Sequence, residues 1–111
     1  MDNYSTFKTD VADLGDVKLG QSVLGTFDLV LASDTSKYLY AVPDCGCTGV
    51  SWNVNTSQLL VNYTGEEIPN FYKELGMTKL PKEKSVSVFI EEPSLGIIKE
   101  HRLTIKYTLI E

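Results

Sequence analysis

Both cysteines of this 111-residue chain fall in one short stretch, Asp44-Cys45-Gly46-Cys47-Thr48. Three chemistries compete for the pair. As metal ligands, two thiolates one residue apart supply half of a tetrahedral zinc site, and His101, the single histidine, is the third soft ligand on offer. The same pair alone suits a soft monovalent copper ion. As a redox pair, the thiols close a tight disulfide, with glycine in the middle easing the ring, and strained bonds are the reducible ones. As structure, both are small apolar groups packed at a sheet corner, where Gly46 permits a positive φ or a bulge. Packing leads, because a zinc site lacks further ligands and a reducing compartment keeps thiols unpaired.

Elsewhere the chemistry is sparse. His101 sits between Glu100 and Arg102, and no Gly-x-Ser-x-Gly nucleophile turn or phosphate-cradling glycine loop is present. Glu91 and Glu92 are adjacent, and neighbours in a strand point to opposite faces, so they cannot share one site unless a bulge intervenes. The sequence predicts neither an enzyme nor a cofactor. A net charge of −5 argues against nucleic acid, since phosphate binding needs a concentrated basic face. The clusters Lys79–Lys84 and Lys99–Arg102 are interrupted by Glu and read as solvated loop charge. Met1–Lys8 has neither a basic nor an apolar signal segment, and no apolar run approaches membrane length. The expected location is a cytoplasm, or a particle assembled there. The sequons at Asn3, Asn55 and Asn62 then read as chance matches.

The elements that position these residues show a period of two. Val23, Phe27, Leu29 and Leu31 share one strand face, with Gly25 between them. Ser33–Ser36 is a polar turn, and Lys37–Val42 is a strand stopped by Pro43. Val50, Trp52 and Val54 alternate with polar residues, Gln58–Tyr63 is a further strand, and Val86, Val88 and Ile90 alternate with serines. Arg102–Leu109 is the cleanest, with Leu103, Ile105, Tyr107 and Leu109 inward. Such alternation favours antiparallel sheets with one wet face. Trp52 reads as the core tryptophan, against the alternative of a ligand platform shared with Tyr38 and Tyr40.

Ile68–Gly76 breaks the pattern. Proline near its start and glycine at its end frame one or two helical turns, with Ile68, Phe71, Tyr72 and Leu75 at helical spacing. These four either cap an open edge of the fold or form a docking surface. The cap is favoured, because exposed aromatic patches are uncommon on monomers.

With 42% hydrophobic residues, ordinary globular content, the chain forms one domain over residues 1–111. The expected fold is all-β, an immunoglobulin-like antiparallel sandwich of about seven strands with one short helical turn in a long connection.

The Cys45-Gly46-Cys47-Thr48 motif follows Leu14-Gly15-Asp16-Val17-Lys18-Leu19-Gly20 and the strand Thr26-Phe27-Asp28-Leu29. Over about residues 7 to 110 this resembles a large bacterial and phage family of uncharacterised immunoglobulin-like domains bearing a Cys-Gly-Cys-Thr signature. That family is similar in turn to the major-sperm-protein-like and ASPM-SPD2-Hydin domains. The chain departs from it in a longer segment over Ser57–Thr78, in Pro81-Lys82 where the family has a Pro-Gly turn, and in lacking the export signal common among members. The resemblance implies a non-catalytic domain that binds proteins through sheet edges or end loops. The expectation is therefore an interaction module of a larger assembly, most specifically a phage virion accessory protein, a capsid decoration or tail-associated component. Its partner would be a capsid or tail protein or a second copy. The alternative is redox or metal chemistry at Cys45 and Cys47.

Overall fold

A computed structural model describes residues 4–111; the sequon asparagine Asn3 lies outside them. The strands are β1 (Thr6–Phe7), β2 (Val11–Lys18), β3 (Ser22–Val30), β4 (Lys37–Pro43), β5 (Thr48–Asn53), β6 (Gln58–Thr64), β7 (Lys79–Glu92) and β8 (Ile97–Ile110), with one helix, α1 (Asn70–Glu74). They form two four-stranded sheets, ordered β1-β3-β6-β5 and β2-β8-β7-β4. Counting β1 and β2 as two halves of one first strand, this is the A-B-E-D and A′-G-F-C order of an immunoglobulin sandwich. The expected seven strands become eight among the described residues because that first strand switches sheets. The switch also makes β2 run parallel to β8, while every other pair is antiparallel.

The core follows from alternation. Phe27 and Leu29 of β3, Leu59, Val61 and Tyr63 of β6, Val86, Val88 and Ile90 of β7, and Leu103, Ile105, Tyr107 and Leu109 of β8 are buried between the sheets. Each such side chain contributes about 1.5–3 kcal/mol by leaving water. Gly25 takes its turn on the inner face, where a Cβ would sit 3.1 Å from Leu14 Cδ2. The alternation places Leu31 and Val54 on inner faces, but β3 ends at Val30 and β5 at Asn53, and both residues are exposed.

Lys79–Lys84, read as loop charge, is the first half of β7, and Lys99–Arg102 lies within β8. The reason is length. The β7–β8 hairpin pairs fourteen residues with fourteen, whereas β4 reaches only Val86–Glu91 of β7. The first half of β7 is therefore an edge, where lysines stay solvated and Pro81 costs no ladder bond.

Gly65 locks one end of the sandwich. Its N–H donates to the Gln21 carbonyl (2.8 Å) and its own carbonyl accepts from Gly20 N–H (2.9 Å). A Cβ there would lie 2.0 Å from the Lys18 carbonyl oxygen, so only glycine fits. No helix of the described residues is long and apolar enough to cross a membrane.

Candidate functional site

The Cys-Gly-Cys stretch is the connection from β4 to β5, the point where the chain crosses between sheets. Asp44 N–H donates to the Ser85 carbonyl (3.0 Å), and Ser85 N–H returns a bond to Asp44 Oδ2 (3.1 Å). Thr48 N–H donates to the Cys45 carbonyl (3.2 Å) and Thr64 N–H to the Cys47 carbonyl (3.4 Å). This turn brings the two cysteine Cα atoms to 5.3 Å, and their sulfurs are bonded to each other. The leading expectation of two packed free thiols is thereby corrected: the turn geometry pairs them. The argument from glycine is also corrected. Gly46 is not among the positive-φ residues, and a Cβ on it would meet nothing within 4 Å.

The metal reading of Cys45, Cys47 and His101 finds no supporting geometry. Both sulfurs are engaged in the bridge, and among the described residues no three His, Cys, Asp or Glu side chains converge. His101 lies inside β8 rather than at a strand entrance, opposite Val88. Its ring meets Phe7 edge-on, with centroids 5.7 Å apart, and its Nε2 is buried without a hydrogen-bond partner. Burial holds its pKa below the usual histidine range, Lys99 adds to this, and Glu92 opposes it.

The helical segment divides its four candidate residues between two roles. Pro69 opens α1 and Gly76, at φ 80°, closes it. Ile68 is buried in the core, and Tyr72 packs against that core, so these two cap the end of the sandwich. Phe71 and Leu75 lie one helical turn apart, 66% and 64% exposed, and the Phe71 ring meets the Tyr72 ring edge-on with centroids 5.4 Å apart. Leu19 in the β2–β3 turn is 65% exposed and shares a groove of about 350 Å³ with Ile68, Lys73 and Ile110, which Phe71 and Leu75 do not line. Lys73 Nζ is tied to Glu67 Oε1 at 2.5 Å on this surface. Sequence spacing alone did not separate the two pairs, since Ile68, Phe71, Tyr72 and Leu75 all satisfy helical periodicity; which pair faces in is set by the strands below. Leu19 was missed because a single leucine in a turn carries no pattern.

The three aromatics considered as a platform do not form one. Tyr38 and Trp52 stack across the β4–β5 seam, with centroids 4.5 Å and planes 11° apart. Trp52 is half-buried, neither fully core nor free. A bulge between Tyr38 and Tyr40 turns Tyr40 to the outer face, where it stacks on Phe89.

At the opposite end from α1, Glu92 is fully buried where β7 enters its hairpin turn. Its Oε2 accepts the Ser5 N–H at 2.6 Å, and its Oε1 accepts the Ser36 hydroxyl and, at 3.3 Å, the Ser5 hydroxyl. Ser5 Oγ in turn accepts Ala32 N–H. One carboxylate thus gathers the chain start, the β3–β4 connection and the hairpin end. Burial alone would raise its pKa; the hydrogen bonds from Ser36 and Ser5, with His101 nearby, outweigh this and hold it below the ordinary carboxylate range. Alternation places Glu91 and Glu92 on opposite faces, as the sequence predicts, but the donors that make Glu92 tolerable come from distant loops. Glu91 stays near the surface, 3.9 Å from Lys37 Nζ.

Comparison of the chain with protein-family models and with curated proteins finds no match.

Proposed function

We propose that this domain is a non-catalytic interaction module of a larger assembly, docking through the end of the sandwich that carries α1. The observation behind this reading is the pair Phe71 and Leu75, both exposed to water on a short helix anchored by buried Ile68 just before it and by Tyr72, which packs against the core. Large apolar side chains held out from an ordered scaffold have the make-up of a protein-binding patch. The assembly we assign it to is a phage particle, in which the partner is a capsid or tail protein or a second copy of the chain. The immunoglobulin strand order and the net negative charge suit that role.

The test is a Phe71→Ser, Leu75→Ser double variant. Neither residue belongs to the core, so its melting curve and circular dichroism should match the parent. Light scattering over a rising concentration series should show association of the parent and not of the variant. A parent that stays monomeric and holds an immobilised particle protein no better than the variant does would overturn the reading.

A further inference from the structure

We propose that the Cys45–Cys47 bridge is a thiol–disulfide exchange centre that accepts two electrons from the dithiol of another polypeptide. Three observations on the β4–β5 connection carry this. First, the turn does not depend on the bridge for its shape. The Thr48–Cys45, Thr64–Cys47 and paired Asp44–Ser85 hydrogen bonds hold it through the backbone and Asp44, so the thiols stay adjacent when the bond opens. Second, closing a three-residue loop constrains the unfolded chain far less than the long loops that structural disulfides span, so stabilising the fold is a poor account of the bridge. Third, the turn is reachable: Gly46 is exposed with open space where a side chain would stand, and both cysteines are only half-buried.

The surroundings give the exchange a direction. Cys47 N–H points at Cys45 Sγ, 3.2 Å away, while Cys47 Sγ has only the Thr48 hydroxyl at 3.8 Å. A hydrogen bond to the charged form favours a thiolate, and the better thiolate is the better leaving group. A substrate thiolate therefore attacks Cys47 Sγ. The Cys45–Cys47 bond breaks, Cys45 leaves as the thiolate, and a mixed disulfide joins substrate to Cys47. The second substrate thiol, deprotonated, attacks the substrate sulfur of that mixed disulfide and displaces the Cys47 thiolate. The substrate departs as a disulfide, oxidised by two electrons. Its two protons end on Cys45 and Cys47. A low-molecular-weight disulfide such as glutathione disulfide restores the bridge by the reverse steps.

The experiment equilibrates the oxidised full-length protein with glutathione buffers, quenches with acid, alkylates and counts thiols by intact mass. Circular dichroism and Trp52 fluorescence are followed on the same samples. The reduced fraction is expected to pass from under a tenth to over nine-tenths across roughly a 100-fold change in the squared-thiol to disulfide ratio, as a two-electron couple requires. Both spectra should hold constant throughout. In a second arm, one equivalent of oxidised protein should convert about one equivalent of a reduced Cys-x-x-Cys peptide to its disulfide by the stoichiometry of the exchange. The Cys45→Ser, Cys47→Ser variant should convert none. A bridge that opens only in denaturant, a fold lost on reduction, or thiols that glutathione disulfide does not rejoin would each overturn the proposal.

Discussion

Glu92→Gln isolates the charge of the buried carboxylate with almost no change in shape. Three donors converge on Glu92: the Ser5 N–H, the Ser36 hydroxyl and the Ser5 hydroxyl. The glutamine must keep its carbonyl toward the Ser5 N–H, because that donor cannot rotate away, so its amide NH2 falls against the two serines. Ser36 can turn to accept, but its hydroxyl is also engaged with Ser33 Oγ at 3.1 Å, and Ser5 Oγ already accepts Ala32 N–H at 3.0 Å. Hydrogen bonds to a charged group are worth about 1.5–3 kcal/mol against about 1 for neutral ones, so the net loss is about 2 kcal/mol at pH 7. At this chain length that lowers Tm by about 8 °C. The folded pKa of Glu92 lies below its ordinary value of 4.5, so the carboxylate's contribution is complete above about pH 4.5 and is lost as pH falls through the folded value. Urea unfolding of parent and variant from pH 7 to pH 3 should therefore give curves that converge in acid. A variant within about 0.5 kcal/mol of the parent at pH 7, or a difference that stays constant down to pH 3, would refute the reasoning.

His101→Phe should be at least as stable as the parent at pH 7, because the ring still meets Phe7 and an unpartnered buried Nε2 is removed. The parent's histidine titrates below its ordinary 6.5, so the unfolded chain takes the proton first and stability falls as pH drops below about 6.5; denaturant midpoints of the variant should lack that step. Gly65→Ala forces a Cβ against the Lys18 carbonyl and should cost about 3 kcal/mol. Gly46→Ala, by contrast, enters open space and should shift the urea midpoint by less than about 0.5 kcal/mol equivalent.

Strands buried on one face were legible from alternation alone: Phe27 and Leu29, Leu59 and Val61, Val86 to Ile90, and Leu103 to Leu109 all face inward as their period predicts. β2 was not legible, because Asp13, Gly15 and Asp16 interrupt it and a bulge between Asp13 and Asp16 resets its register. The first half of β7 was hidden for a different reason. Only Leu80 is buried among its first five residues, so its charges obey the rules of a free edge and carry no period. The Cys-Gly-Cys turn stood out as a motif, yet its pairing rests on contacts with Ser85 and Thr64 that no local window contains. The outward turn of Tyr40 depends likewise on a one-residue bulge in the ladder with β7.

The parallel pairing of β2 with β8 has a consequence for how the molecule is made. It joins Val11 to Thr104, near opposite ends of the described chain, whereas β7 and β8 meet through a four-residue turn. Loop closure delays distant contacts, so the hairpin forms early and β2 can be seated only when β8 has arrived. On a ribosome, every intermediate before β8 emerges leaves β2 without its partner and one edge of β7 unpaired. β2 is then seated after the hairpin-led rate-limiting step, and it completes the β2-β8-β7-β4 sheet. Substitutions within β2 should consequently accelerate unfolding while leaving the refolding rate nearly unchanged.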